Sequence, residues 1–189
     1  MKKRKIALGV TGASGAIYAK LFLKVLSGTK ELELSAVMTE AAKQVWALEN
    51  GEWNEAEFPQ IKFFGAKDFM APFASGSAKY ESLVVIPCSM GTLGRIASGT
   101  SDDLISRAAD VMLKERKKLV LVPREAPYNL IQLRNMVTIT EAGGIILPAS
   151  PSYYSQPKDI EALAMTVVNR VLDCIEVANN AFRWGELEI

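Results

Sequence analysis

The sequence of 189 residues contains no histidine. This absence excludes a Ser-His-Asp triad, a histidine metal site and a histidine general base. Acid–base chemistry must therefore depend on Glu, Asp, Lys, Tyr, Ser or Cys. Cysteine is also scarce, because the chain has only Cys88 and Cys174, which form no CxxC pair. Such usage is typical of a reduced protein, and we expect a cytoplasmic location.

Long apolar runs and an excess of one charge are missing as well. No segment approaches the ~20 apolar residues that a membrane span needs. The 22 Lys and Arg residues nearly balance the 21 Asp and Glu residues. We therefore expect neither a membrane nor a nucleic acid as partner. Apolar residues make up 49% of the chain and charged residues 23%, which is ordinary for a globular protein.

Apolar strands alternate with helix-length segments along the whole chain. The pattern predicts strands at 6–10, 32–38, 83–86, 118–122 and 145–147, and a short strand around Phe63 and Phe64. It predicts helices at 16–26, 39–49, 89–98, 103–116, 130–142 and 158–178. This alternation implies a mostly parallel sheet with helices on both faces, a doubly wound, Rossmann-like or flavodoxin-like α/β fold. We expect one domain over 1–189, with the polar segment 50–58 as a surface insertion.

Small and hydroxyl-bearing residues follow the first predicted strand, in Thr11-Gly12-Ala13-Ser14-Gly15-Ala16. Ligands of open α/β sheets bind at the carboxyl ends of the strands. Two glycines permit a tight turn, and the helix behind it offers unpaired amides to a phosphate. The segment is neither GxGxxG nor a Walker motif. A turn without a ligand is an equal alternative at this point.

A second turn of the same kind is Pro87-Cys88-Ser89-Met90-Gly91-Thr92, after the strand at 83–86. Cys88 on its own is more often a small buried apolar residue than a nucleophile. Two such turns in one sheet favour a ligand. One turn could hold a phosphate while the other faces a ring system.

An arginine between two prolines follows the strand at 118–122, in Pro123-Arg124-Glu125-Ala126-Pro127. Proline restricts the backbone, so the turn is stiff and displays a cation at the carboxyl end of the strand. This arrangement indicates an anionic ligand. The loop 148–157 after the last strand carries Tyr153 and Tyr154, which either bind an anion or pack the loop.

Two further cations, Arg107 and Lys114, lie seven residues apart on one predicted helix and therefore share a face. A solvated stripe explains them without any site. Glu49 ends the helix for which Thr39 is the expected N-cap, and on pattern alone it is an exposed acid.

Taken together, these segments resemble the flavin prenyltransferases of the UbiX type. The resemblance covers nearly the whole chain and rests on Thr11 to Ala16, Ala74-Ser75-Gly76-Ser77, Pro87-Cys88-Ser89, Arg107-Ala108-Ala109-Asp110-Val111, Leu113-Lys114-Glu115-Arg116, Leu119 to Pro127, Tyr154-Ser155-Gln156-Pro157 and Arg183-Trp184-Gly185. It implies transfer of a dimethylallyl group from dimethylallyl phosphate to reduced FMN, without a metal. The product would be prenylated FMN, the cofactor of UbiD-type decarboxylases in ubiquinone biosynthesis and aromatic-acid decarboxylation. It also implies a homododecamer with sites at subunit junctions.

The resemblance assigns roles by position. FMN would be held by Gly12, Ala13, Ser14, Thr39, Ser89, Met90, Gly91, Thr92 and Arg124. The allyl donor would be bound by Arg124, Tyr154, Arg170 and Trp184, and by Ser75, Arg107 and Lys114 of a neighbouring subunit. Catalysis would involve Ser14, Glu49, Lys114 and Glu125, with Ser14 and Glu49 handling protons and Glu125 supporting the phosphate site. A tail of about 175–189, which carries Trp184, would close over the site or over a neighbouring subunit.

Two other classes compete with this interpretation. An FMN-dependent decarboxylase of the peptidyl-cysteine or phosphopantothenoyl-cysteine type would share the sheet and the FMN site. Those enzymes depend on an active-site histidine, which this chain lacks. A flavin carrier without catalysis would not need several basic residues and a tyrosine around a second anion.

Overall fold

The computed structural model describes residues 3–185 of the protein. A parallel sheet of six strands forms the centre of this part of the chain. The strands are β1 (Arg4–Val10), β2 (Leu32–Met38), β3 (Ile61–Phe64), β4 (Ser82–Cys88), β5 (Lys118–Pro123) and β6 (Ile145–Ile146), in the order β3-β2-β1-β4-β5-β6. Every neighbouring pair is parallel. The predicted doubly wound α/β fold is thereby confirmed.

Helices cover both faces of this sheet. They are α1 (Ala16–Ser27), α2 (Glu40–Asn50), α3 (Met90–Ala97), α4 (Leu104–Lys114), α5 (Leu130–Glu141) and α6 (Ile160–Cys174). We call the side that packs against α1, α2 and α6 the front face, and the side that packs against α3, α4 and α5 the back face. None of the helices in this part of the chain combines the length and hydrophobicity that a membrane span requires.

The strand sequences explain this layering. Along β1, Ile6 and Leu8 point into the front core, whereas Ala7 points into the back core. Both faces are buried, so a strand of a parallel sheet consists of a continuous apolar run rather than an alternating one. The register of β1 with β2 pairs Val10 with Met38, so both strands end level and deliver the residues after them to one edge.

N-caps account for the differences between the predicted and observed helix starts. The side chains of Thr39, Ser89, Asp103, Asn129 and Asp159 each accept a hydrogen bond from the first turn of the helix that follows. A capping side chain of this kind contributes about 1 kcal/mol. The helix predicted at 158–178 is shorter, since it starts after its cap at Asp159 and ends at Cys174.

The expected surface insertion at 50–58 is wrong in part, because its aromatic residues join the front core. Phe58 is only 4% exposed, and Trp53 packs edge-on against Trp46 with ring centroids 4.8 Å apart. Trp53 also stacks on Phe58 at 5.8 Å. These aromatic residues are spaced irregularly, so no periodicity in the sequence indicates their burial.

Candidate functional site

The site predicted at the carboxyl edge of the sheet lies where β1 and β4 are neighbours. The chain leaves β1 towards α1 on the front face and leaves β4 towards α3 on the back face. At such a switch point the two following loops separate and open a crevice for ligands. The two small-residue turns of the sequence, after Val10 and after Cys88, both border this crevice.

Thr11 joins the two turns. Its hydroxyl donates to the carbonyl oxygen of Pro87 at 2.8 Å and accepts from the backbone N–H of Ser89, also at 2.8 Å. Thr11 is 2% exposed, so both bonds are shielded from water. One side chain therefore fixes the distance between the walls of the crevice.

The glycines of the first turn are required by close contacts. A Cβ on Gly12 would lie 2.6 Å from the Cβ of Ala41 in α2. Gly15 has φ +105°, and a Cβ there would lie 2.9 Å from the Tyr18 ring. Both residues let the turn pass close beneath its neighbours.

Glu49 caps the amino end of α1 from the neighbouring helix α2. Its carboxylate accepts from the N–H of Gly15 at 2.9 Å and from the N–H of Ala16 at 2.7 Å. A negative charge is stabilised at a helix N-terminus by the dipole. Glu49 is therefore not merely a solvated acid, and it lies next to Ser14 at the mouth of the crevice.

Arg124 connects the end of β5 to the same turn, because its Nε donates to the carbonyl oxygen of Ser14 at 2.9 Å. Burial raises the pKa of the nearby Tyr18 hydroxyl, while the Arg124 guanidinium lowers it. Glu125, which follows, accepts from the backbone N–H of Ala126 at 3.0 Å. The turn 123–127 thus places Arg124 against the turn after β1, and it places the Glu125 carboxylate against the backbone of the next residue.

The second turn forms the amino end of α3. The Ser89 hydroxyl accepts from the N–H of Thr92 and donates to the Thr92 hydroxyl at 3.1 Å. The Thr92 hydroxyl also accepts from Arg95 at 3.2 Å, and Arg95 reaches Asp103 at 3.3 Å. Met90 and Gly91 belong to this first helical turn.

Thr39 stands at the end of β2, beside the first turn. Its N–H donates to the carbonyl oxygen of Val10 at 3.1 Å, and its hydroxyl accepts from the N–H of Ala42 at 3.1 Å. Thr39, Ser89 and the turn 11–15 thus lie along adjacent strand ends, as the sequence predicts.

The donors around this crevice fit a phosphate group. Within residues 3–185, the backbone amides of Ala13 and Ser14 and the two terminal nitrogens of Arg124 donate no hydrogen bond. Amides and a guanidinium in this arrangement suit a phosphate. Cys88, at the end of β4, is fully buried, and burial raises the pKa of its thiol to about 12.

A second opening, the tail groove, lies on the front face between the loop after β6, helix α6 and the chain after residue 180. It has a volume of about 720 Å³, and Tyr154, Arg170, Arg183 and Trp184 line it together with apolar residues such as Met165. The Tyr154 and Trp184 rings meet edge-on at 4.9 Å. Three of the predicted donor-binding residues are therefore brought together. The expected tail continues to 189, of which 186–189 lie outside the described residues.

Ser75, Arg107 and Lys114 form another group, beside α4 on the back face. Arg107 donates to the carbonyl oxygen of Ala74 at 3.1 Å, and Lys114 forms an ion pair with Glu115 at 2.6 Å. The sheet separates this group from the tail groove on the front face. One copy of the chain therefore does not bring all the predicted donor-binding residues into one place.

Four residues with clear structural roles at these sites were given no role of their own from the sequence: Thr11, Tyr18, Asp173 and Arg183. Tyr18 follows Gly15 by three residues and Asp173 follows Arg170 by three, a spacing that places side chains on one helix face. That signal was available for both. No local pattern indicates the bonds of Thr11 to residues 76 and 78 positions away.

Comparison with known proteins agrees with this geometry. The family model described as Flavoprotein matches residues 1–180. The flavin prenyltransferase UbiX of Methanocaldococcus jannaschii is 43% identical over 96% of this chain and 98% of its own length.

Two solved structures extend the comparison. The dodecameric FMN-dependent UbiX-like decarboxylase of Escherichia coli O157:H7 superposes with a TM-score of 0.90 at 37% identity, covering 95% of this chain and 98% of that one. AnUbiX (PadA1), solved in complex with FMN and dimethylallyl pyrophosphate, superposes with a TM-score of 0.87 at 37% identity. The match covers 96% of this chain and all of that one.

Proposed function

The chain belongs to the UbiX flavin prenyltransferases of the flavoprotein family, and from this we propose that it transfers a dimethylallyl group from dimethylallyl phosphate to reduced FMN. The product is prenylated FMN, which serves UbiD-type decarboxylases. One observation carries the proposal: the protein has a crevice that fits a flavin phosphate and a separate groove that combines guanidinium groups, a tyrosine and apolar walls.

The crevice holds FMN through the first turn (Gly12, Ala13 and Ser14), Thr39, the second turn (Ser89 to Thr92) and Arg124. When bound, the reduced flavin supplies the nucleophile that attacks the allyl carbon. Thr11 keeps the two turns at a fixed spacing, so the ring system meets walls that are already in place.

The phosphate of the donor binds to Tyr154 and Arg170 in the tail groove. The carbon–oxygen bond breaks with its electron pair going to the phosphate, which needs fixed positive charge as it leaves. Preorganised charge of this kind is usually the largest catalytic term. The leaving phosphate can itself accept a proton, so the reaction does not need a histidine.

A complete donor site needs a second copy of the chain. Ser75, Arg107 and Lys114 lie on the back face, whereas Tyr154 and Arg170 lie on the front face. We propose that in a homo-oligomer the back face of one copy meets the front face of another. The relative from Escherichia coli is dodecameric, and we propose the same assembly for this chain, with the tail from about 175 closing over the junctions.

Proton handling falls to Ser14 and Glu49 at the mouth of the crevice. The Glu49 carboxylate accepts hydrogen bonds from the N–H groups of Gly15 and Ala16 at the amino end of α1, which fixes it beside Ser14. Glu125 supports the Arg124 turn. The Glu49→Gln variant keeps the shape of this carboxylate, so it should slow turnover more than it weakens FMN binding.

The alternative, an FMN-dependent cysteine-type decarboxylase, is disfavoured because the chain has no histidine. We also propose a cytoplasmic location. It is supported by the two unpaired thiols, since pairing of cysteines is typical of oxidising compartments.

The deciding experiment measures the mass of the flavin extracted after anaerobic incubation with reduced FMN and dimethylallyl phosphate. We expect FMN heavier by one prenyl unit, and unmodified FMN would refute the proposed function. A parallel reaction with dimethylallyl pyrophosphate tests the choice of the monophosphate.

Two variants test the division between the FMN and donor sites. Lys114→Ala and Arg170→Ala should retain FMN and lose turnover, whereas the control Lys24→Ala, on an exposed position of α1, should match the wild type. Loss of FMN from either of the first two variants, with activity restored by added FMN, would show that the division is wrong.

A further inference from the structure

The Asp173 carboxylate, in the last turn of α6, accepts hydrogen bonds from α6 itself and from the segment that follows the helix. Arg183 of the tail donates from both terminal nitrogens, at 2.7 and 2.9 Å. Arg170, one turn earlier on α6, donates at 2.8 Å, and the Asn179 amide donates at 2.9 Å. A bidentate arginine–carboxylate pair is among the stronger polar contacts in proteins.

Two partners of Asp173, Arg170 and Arg183, line the tail groove. Asp173 and Asn179 line an adjoining opening together with the same two arginines. Arg170 and Arg183 face the groove, and Trp184 follows Arg183 and packs on Tyr154 at 4.9 Å. The carboxylate therefore contacts both guanidinium groups from outside the tail groove and fixes them directly. Through Arg183 it also fixes the start of the segment that carries the indole.

The members of this cluster differ in exposure. The Arg170 and Arg183 guanidinium groups both form an ion pair with the Asp173 carboxylate. The Asp173 side chain is 20% exposed, against 67% for Arg170. The Asp173 carboxylate is thus less accessible than Arg170, which remains open to a ligand.

We propose that Asp173 is a positioning residue for the phosphate of the allyl donor, and that it acts by holding Arg170 and Arg183 in a preformed pair. This inference rests on the proposed function, in which the groove receives that phosphate. A long side chain that is already fixed loses less conformational freedom on binding. The same carboxylate also repels a phosphate, so its two effects have opposite signs, and we infer that positioning outweighs repulsion.

Because positioning and repulsion change KM in opposite directions, the KM of an Asp173 variant distinguishes them. In FMN-loaded Asp173→Asn enzyme, positioning predicts that KM for dimethylallyl phosphate rises by about tenfold. We expect kcat to fall as well, because Arg170 also stabilises the leaving phosphate. Asp173→Glu keeps the charge and should recover part of the lost affinity. Glu161→Gln, an exposed change of the same charge on the first turn of α6, serves as control and should leave KM unchanged.

A fall in KM for Asp173→Asn would show that repulsion dominates, and it would overturn the inference. An unchanged KM together with a lower melting temperature would reduce Asp173 to a structural role and would also overturn it. Calorimetry with inorganic phosphate on the FMN-loaded proteins separates this result from the proposed function. Weaker phosphate binding by Asp173→Asn than by wild type supports the inference even where no prenylated flavin forms, and equal binding contradicts it.

Discussion

Replacing Thr11 by valine would remove one hydroxyl from the joint between the two turns of the crevice. Valine keeps nearly the same volume, so the packing of the 2% exposed side chain remains. The Ser89 N–H loses the partner it had at 2.8 Å, whereas the Pro87 carbonyl keeps the Thr11 N–H at 3.3 Å. Two hydrogen bonds of 2.8 Å are lost, and one donor, the Ser89 N–H, is left unsatisfied.

The expected cost in the free energy of unfolding is about 2 kcal/mol, since a buried unsatisfied group costs roughly 1–3 kcal/mol. For a chain of this length, that cost corresponds to a melting temperature lower by about 4–8 °C. FMN binding should weaken as well, because Ser89 no longer holds its distance from the first turn. Calorimetric melting and flavin titration at one fixed protein concentration measure both effects.

The matched control is Thr140→Val, whose hydroxyl only bonds the Met136 carbonyl on an exposed side of α5. Its expected change is within about 0.5 kcal/mol. Thr11→Ser keeps the hydroxyl and should restore most of the FMN affinity. The reasoning is refuted if Thr11→Val and Thr140→Val have the same melting temperature and bind FMN equally well.

Three further predictions concern the turns, the thiol and the tail. Gly12→Ala should lower both the melting temperature and the FMN affinity, because its Cβ would lie 2.6 Å from Ala41, whereas Gly65→Ala, with open space around it, should change neither. Iodoacetamide at about pH 8 should leave Cys88 unlabelled in native protein and label it after denaturation, since burial raises its pKa to about 12; labelling of the native thiol, seen by peptide mass, would contradict this. Arg183 holds the pKa of the Asp173 carboxyl at about 2, below its ordinary 3.8, so the stability it contributes is present above pH 3.8 and lost as pH falls through 2. The difference in melting temperature between wild type and Asp173→Asn should therefore stay constant from neutral pH down to about 5 and shrink below about 4, and a difference that changes near neutral pH would be inconsistent with this assignment.

The layered fold was predictable because its signals are local. Buried parallel strands are continuous apolar runs, and β2 was predicted with the bounds that the structure has. The caps Thr39 and Ser89 follow strands directly, so the same residues mark both the helix starts and the candidate site. The order of strand ends then gathers these residues at one edge.

What escaped prediction depends on contacts between distant segments. The bidentate ion pair between Asp173 and Arg183 forms only because the chain turns back after α6, where Glu176 has φ +56°. The burial of Trp53 and Phe58 depends on the position of Trp46 in α2. In both cases the residues look like ordinary surface charges or scattered aromatics until the neighbouring element is in place.

The separation of Lys114 and Arg170 by the sheet has a consequence for genetics. If each reaction centre takes its α4 from one copy and its α6 from another, two inactive variants can complement each other. Mixed oligomers of Lys114→Ala and Arg170→Ala subunits would contain intact centres at about one quarter of their junctions when the subunits assort at random. With shared centres, a defect in one allele of this chain is therefore masked by a different defect in another. A protein whose centre lay within one copy would show no recovery of activity when the two variants are mixed.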